Sequence, residues 1–382
     1  NKNAEKISSD HTHTLALKQN GTIWTFGEGY CGASGLGNSD NVLDPTQIKY
    51  GYYQESTETT SEDGKIVTTN EQKEIELNNM VDVATGIYYS MAVDNNGNVY
   101  TWGYNGYGQL GHGDTENLNT PKRIEGLKNI KKVYATNYTS LALDNDGNLY
   151  AWGYRFSRTP TKLNLFDKVI DATEKIALLA DGTVWYIDSS NCTKINGLTN
   201  IVKIASDDNS YVALDADGNV YNWGKNYYGM FGNGTTSENW TPVKSSIKDI
   251  VDIKASNSTI LWLDKDGNVY GAGYNGYGQL GNGTSSNTNT TYTKVENVQN
   301  IKNIALESYS SAISDKSGFV YTSGYNGQGE LGNGDTTSRN KYEVIGETYV
   351  DVGDPRVTVE IGTTKQIKAT LNNKFNLITD VI

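Results

Sequence analysis

Histidine and cysteine are scarce in this chain, and their scarcity removes much of the usual enzyme chemistry. Three histidines (His11, His13, His112) and two cysteines (Cys31, Cys192) stand among 382 residues. His11 and His13 have no third donor near them in sequence, so they do not make a metal set. Cys31 and Cys192 lie in distant repeats and read as two unpaired thiols. No phosphate-cradling loop and no Gly-x-Ser-x-Gly turn is present. Basic charge is also short: 32 Lys and Arg face 44 Asp and Glu, a net charge of −12. That balance argues against nucleic acid, which needs a basic surface. No apolar run approaches the roughly 18 residues of a membrane span. The chain opens at Asn1 without an initiator Met or a leader, and reads as a mature secreted protein or a fragment.

Turn formers and aromatic residues are what the chain does have. Forty-one glycines against five prolines imply many tight turns, and 27 Tyr with 7 Trp give a large aromatic content. One pentapeptide recurs: Asn, Asp or Ser, then Gly, any residue, an aliphatic and an aromatic. It appears as Asn20 to Trp24, Asn96 to Tyr100, Asp146 to Tyr150, Asp181 to Trp185, Asp217 to Tyr221, Asp266 to Tyr270 and Ser317 to Tyr321. Successive glycines are 76, 50, 35, 36, 49 and 51 residues apart. An apolar stretch such as Ser140 to Asp144 precedes each copy. A strand often ending in Trp-Gly follows, as at Trp102, Trp152 and Trp223. Asn-Gly or Asp-Gly between two such runs marks a hairpin, because its turn needs positive φ. A further strand lies before the hairpin and another, with Thr-Pro, after it (Thr120 to Ile124, Thr241 to Lys244). Proline suits an outer edge. Four strands in each of seven units predict an all-β, seven-bladed β-propeller over 1–350, with a short C-terminal β extension over 351–382.

The run Ser140 to Tyr154, together with Asn105 to Gly113 and Asn275 to Gly283, resembles the repeat of the regulator of chromosome condensation family. Variants of the second half stand at Asn226 to Gly234 and Asn326 to Gly334. The resemblance implies the propeller. It leaves function open, since such propellers include nucleotide-exchange factors, light sensors and secreted bacterial inhibitors of β-lactamases. Repeats three and four lack the Gly-rich half and read as blades of three strands or truncated loops. Repeat one carries an insertion, about 50–77, that reads as a protruding hairpin around Asp63-Gly64. Arg356 to Ala369 resembles the opening strands of a bacterial immunoglobulin-like domain, which favours a modular secreted or surface protein.

With strands A to D numbered outward from the axis, the A–B and C–D loops share one face. The A–B positions vary between repeats and supply the candidate partner-binding residues: Asp10, His11, Tyr88, Tyr89, Asn137, Tyr138, Glu174, Asp207, Asp208, Asn209, Ser258, Glu307 and Tyr309. Tyrosines of the C–D loops, among them Tyr104, Tyr107, Tyr227, Tyr228, Tyr274, Tyr277 and Tyr325, lie further out. Tyr-rich loops with scattered carboxylates suit protein recognition. Asp144-Asn145-Asp146-Gly147-Asn148 and its relatives at Asp215 and Asp264 mimic the start of a calcium loop. They lack its closing bidentate Glu and read as turns. The sequence therefore predicts a binding scaffold, secreted or on a cell surface, with no catalytic residues, no cofactor and no metal. Another protein is the expected partner. A surface glycan, a carbohydrate-active role and self-assembly in a surface layer or appendage are the alternatives.

Overall fold

The computed structural model describes residues 4–9, 13–327, 331–333, 335–345, 349–351 and 370–372. Seven sheets, antiparallel except for one parallel pairing in the second, follow one another along the chain as blades of a propeller. Blade two has strand A at Met80–Gly86, B at Tyr89–Asp94, C at Val99–Gly103 and D at Leu118–Arg123. Blade six repeats the plan with Ile250–Ser256, Thr259–Asp264, Val269–Gly273 and Asn289–Lys294. Blades three and four keep four strands, which corrects the three-strand alternative. Their outer strands shrink to Thr161–Lys162 and Thr193–Lys194 because no Gly-rich segment leads into them. The pair Tyr349–Asp351 and Thr370–Asn372 forms a separate two-stranded sheet. The immunoglobulin-like pattern of 356–369 lies outside the described residues.

In blades two to six strand B is buried on both faces, which is why its sequence is apolar at successive positions. In blade three, Leu141 and Leu143 pack towards blade four while Ala142 packs towards blade two. Six apolar clusters result, one at each junction from blades one–two to six–seven. Charge pairs between neighbouring A strands reinforce alternate junctions. Lys6 pairs with Asp82, Lys132 with Asp171 at 2.9 Å, and Lys203 with Asp252 at 2.8 Å.

The strand-C tryptophans staple blades together. Trp102 and Trp152 are fully buried and donate their Nε1–H to the carbonyls of Ala33 (3.0 Å) and Gln109 (2.8 Å), each in the Gly-rich segment of the preceding blade. Blade four has no such segment. There the Tyr186 hydroxyl accepts from Trp223 Nε1 at 2.8 Å in its place.

The five Asp turns explain the calcium-like motif. Asp144 Oδ1 accepts from the N–H groups of Asp146 (3.0 Å) and Asn148 (2.8 Å), and Oδ2 from Asn148 Nδ2 (2.7 Å). Asp94, Asp215 and Asp264 repeat the pattern, and Asp315 keeps its two main-chain bonds. Each carboxylate is spent on shaping its turn, leaving little capacity for a cation.

The 50–77 insertion is an ordered ribbon of Tyr50–Thr60 and Ile66–Glu76. It belongs to blade two, which it extends to six strands, and not to the first repeat in which it lies in sequence. Its pairing with strand D is parallel, at Lys122 and Tyr52.

Candidate functional site

One main-chain bond in each of blades two to seven gathers the candidate loops. The residue after the strand-C glycine donates its N–H to the A–B turn. Tyr104 reaches Tyr88 O, Tyr154 reaches Tyr138 O, Lys225 reaches Asn209 O, Tyr274 reaches Ser258 O and Tyr325 reaches Tyr309 O, at 2.8–2.9 Å. Ile187 does the same to Lys175 O in blade four. A–B turns and C–D loops therefore share a face, and the Asp turns lie on the other. Sharp A–B corners place Tyr88, Asp208, Asn257 and Ser258 at positive φ.

On that face tyrosine rings meet one another, edge to face or tilted, in two arcs. The first consists of the pair Tyr30 and Tyr88 (4.9 Å between centroids) and a separate cluster in which Tyr107 meets Tyr104, Tyr138 and Tyr154 (6.4, 4.9 and 5.3 Å). The second runs from Tyr228 to Tyr274 (5.1 Å), then to Tyr277, which meets Tyr309 and Tyr325 (4.9 and 5.2 Å). Tyr107 and Tyr277 are the hubs, and both remain about two-fifths exposed, at 44% and 38%.

Between the arcs, blades three to five present charge. Arg155 lies 3.6 Å from Asp188, and Lys175 donates to Asp208 and Asn209, each at 3.0 Å. The Asp207 carboxylate accepts the Ser258 N–H at 2.6 Å. Burial raises Glu174 above the usual carboxylate range. Lys175 and Arg155 oppose the rise, and Asp208 and Asp207 add to it. Asp207 is raised by burial as well, against the pull of main-chain N–H groups from Ser258 and Asn257.

The structure sorts the sequence candidates. Tyr88, Asn137, Tyr138, Glu174, Asp207, Asp208, Asn209, Ser258, Glu307 and Tyr309 all lie in or beside the A–B turns. Tyr89 does not belong with them. It starts strand B, is fully buried, and donates its hydroxyl to Thr139 O at 2.7 Å across the blade two–three junction. Its neighbour Tyr88 turns outward at φ 60°, and strand alternation then sends Tyr89 inward. His13 is also interior, with Nε2 2.7 Å from Ser90 Oγ. Asp10 and His11 lie outside the described residues. Among the described residues no cluster of His, Cys, Asp or Glu could hold a metal ion, and both cysteines are free. Tyr30, Tyr154, Arg155 and Asp188 were missing from the sequence reading. Tyr154 could have been found, since it follows Trp-Gly in register with Tyr104.

Models of the regulator of chromosome condensation (RCC1) repeat match residues 96–143, 217–261 and 266–306, and a second model of that repeat matches 80–109. Among curated proteins, the Danio rerio Protein RCC2 homolog is 40% identical over 115 residues, 30% of this chain and 18% of that protein. The Homo sapiens E3 ubiquitin-protein ligase HERC2 is 27% identical over 254 residues, 61% of this chain and 4% of that protein. The chain thus spans less than a fifth of either relative. Among solved structures, Prp20p from Saccharomyces cerevisiae, described with its binding to Gsp1p and histones, superposes with a TM-score of 0.66. It is 21% identical and covers 88% of this chain and 90% of its own. Human WBSCR16 gives a TM-score of 0.57 at 18% identity, covering 90% and 84%.

Proposed function

Because this chain is a seven-bladed propeller that carries regulator of chromosome condensation repeats, we propose that it is a protein-binding scaffold whose partner seats on the face of A–B turns and C–D loops. The two tyrosine arcs carry the reading. Tyrosine offers contact area with few rotors to freeze, and each ring here is already braced by its neighbours, so little order remains to be imposed on binding. The carboxylates of Glu174, Asp207 and Asp208 between the arcs favour a partner with basic groups at that sector, and the net charge of −12 steers such a partner inward. Prp20p, a propeller of the same fold, is described as binding proteins, which agrees with a protein ligand. The setting proposed is secreted or cell-surface, following the immunoglobulin-like pattern at 356–369, and fractionation of the producing cell tests it.

The binding test is a pull-down from the native cell with the wild-type chain and a Tyr107→Ala/Tyr277→Ala chain, quantified by mass spectrometry. A Tyr at the centre of an interface that acts as a hot spot contributes about 2 kcal/mol or more, so each substitution should weaken affinity more than about tenfold. Lys265→Ala, on the opposite face, should leave capture unchanged. Equal recovery of the same partner by the double variant would remove the face from the binding surface. Enrichment of glycans in place of proteins would favour the carbohydrate alternative.

A further inference from the structure

The ribbon on blade two has an edge built for a second use. Its strands Tyr50–Thr60 and Ile66–Glu76 pair over eleven residues without a bulge. Among the described residues only the base is tied down. Lys122 pairs with Tyr52, the Arg123 guanidinium lies 4.5 Å over the Tyr53 ring, and the Gln54 N–H donates to Glu125 at 3.1 Å. Ile66–Glu76 is the outermost strand of the six, and its far side pairs with nothing among the described residues.

The main-chain bonds at the two ends fix which groups face that open side. The Ser61 N–H donates to Lys65 O at the tip and the Leu77 N–H to Lys49 O at the base. Odd-numbered residues therefore bond inward, and Ile66, Thr68, Asn70 and Gln72 present N–H and C=O outward. Exposed edges are usually guarded by charge, proline or a bulge. The base half has Glu71, Lys73, Glu74 and Glu76. The tip half, Ile66-Val67-Thr68-Thr69-Asn70, has no guard, and Ile66 is 69% exposed.

We propose that this edge pairs with the same edge of a second copy of the chain, antiparallel about a two-fold axis at Thr68. That centre sets outward groups against outward groups: Ile66 opposite the partner's Asn70, and Thr68 opposite the partner's Thr68. It also sets Lys65 opposite the partner's Glu71 and Lys73 opposite the partner's Asp63, twice each by symmetry; within its own ribbon Lys65 now pairs with Asp63 and Lys73 with Glu55, so the partner's carboxylates would join or replace these pairs. One like-charge pair, Glu62 opposite the partner's Glu74, falls at the turn where the ribbon ends, and none meets within the strand-paired span 65–71. Opposite charges and Thr pairs across strands are stabilising, and a two-fold contact of one patch with itself is the commonest dimer geometry. Shifting the centre to Asn70 loses both charge pairs. Shifting it to Gln72 sets Ile66 and Val67 against the point where the chain re-enters the blade at the buried Leu77. Thr68 stands eight residues from Glu76, about 27 Å along the strand, which keeps the two propellers apart. Residues 50–76 carry seven carboxylates and two lysines. Their mutual repulsion is screened beyond about 8 Å at physiological salt.

Sedimentation velocity of the full chain from about 1 to 100 μM at physiological salt tests this without reference to the tyrosine face. The wild type should dimerise reversibly. Thr68→Pro removes one outward N–H that the ribbon itself does not use, and should give monomers with an unchanged melting curve. Lys65→Glu should also give monomers, because it faces the partner's Glu71, and so should Glu71→Lys. The Lys65→Glu/Glu71→Lys double variant restores opposite charges and should dimerise again. A monomeric wild type, a dimeric Thr68→Pro chain, or a double variant no better than the single ones overturns the proposal.

Discussion

Replacing Tyr186 with Phe deletes one hydroxyl and strands a buried indole. Trp223 is fully buried, stacked on Tyr211 at 5.4 Å, and its Nε1–H has Tyr186 as acceptor. The matching tryptophans in blades two and three donate to main-chain carbonyls, which no side-chain substitution can remove. The blade four–five junction is thus where the staple can be tested conservatively. Leaving a buried donor unpaired costs about 1–3 kcal/mol. Unfolding entropy of about 2 cal/mol/K per residue gives about 0.8 kcal/mol/K for 382 residues, so Tm should fall by about 1–4 °C. Differential scanning calorimetry of Tyr186→Phe, Trp223→Phe and the double variant decides the matter. If the bond is the cause, the double variant should lose about 1 kcal/mol less than the sum of the singles. Strict additivity would refute the staple. Trp262 provides an internal comparison. Its Nε1 is buried without a partner among the described residues, so Trp262→Phe should lose packing and no bond.

Two further perturbations read other parts of the ring. Burial holds His112 down to about 4, with Lys122 adding to the effect and Asp114 opposing it. The unfolded imidazole takes its proton near 6.5, so the folded chain binds fewer protons between those values. Stability should therefore be full above about pH 6.5, fall by about 3 kcal/mol as pH drops to about 4, and level off below. Urea titrations of wild type and His112→Gln should diverge across that window, and a constant difference between them would count against burial of the neutral ring. Gly111 has φ +81°, and a Cβ there would lie 2.8 Å from Trp152 Nε1, whereas at Gly113, also at positive φ, the nearest atom would be at 3.5 Å. Gly111→Ala should cost about 2–4 kcal/mol and Gly113→Ala about 1–2. Equal losses in denaturant midpoint would mean that strain alone, and not the close approach to tryptophan, requires the glycine.

What was legible in the sequence was local. The Asp and Asn turns announce themselves because positive φ and a turn-capping carboxylate demand a short list of residues, and counting them counts the blades. The shared face follows from antiparallel alternation alone. Tyr88 and Tyr89 mark where such reading stops. Two adjacent tyrosines at a corner look alike in sequence, and only the φ of the first decides which one enters the core. The ribbon was visible as a hairpin, but its place between two repeats does not reveal which blade it joins. Lys175 with Asp208 and Trp223 with Tyr186 are 33 and 37 residues apart, and the ring brings them together.

The short blades give the face its direction. A regular seven-fold rim would offer a partner several near-equivalent seats, each rotated by one blade. Blades three and four omit the Gly-rich segment that elsewhere brings tyrosine to the face. In its place stand Tyr154 to Thr161 and Ile187 to Lys194. The gap between the arcs is therefore filled by Arg155, Glu174, Lys175 and Asp188, with Asp207 and Asp208 from blade five. A basic group on the partner gains from this sector in one rotation only. On the proposed docking, any other rotation would set that basic group over tyrosine edges and cover Glu174 and Asp207 with only Lys175, Arg155 and main-chain N–H groups to offset them, which disfavours the wrong seat. If a partner seats on this face as proposed, truncation of two repeats would set its orientation on a scaffold whose symmetry would otherwise leave it undefined.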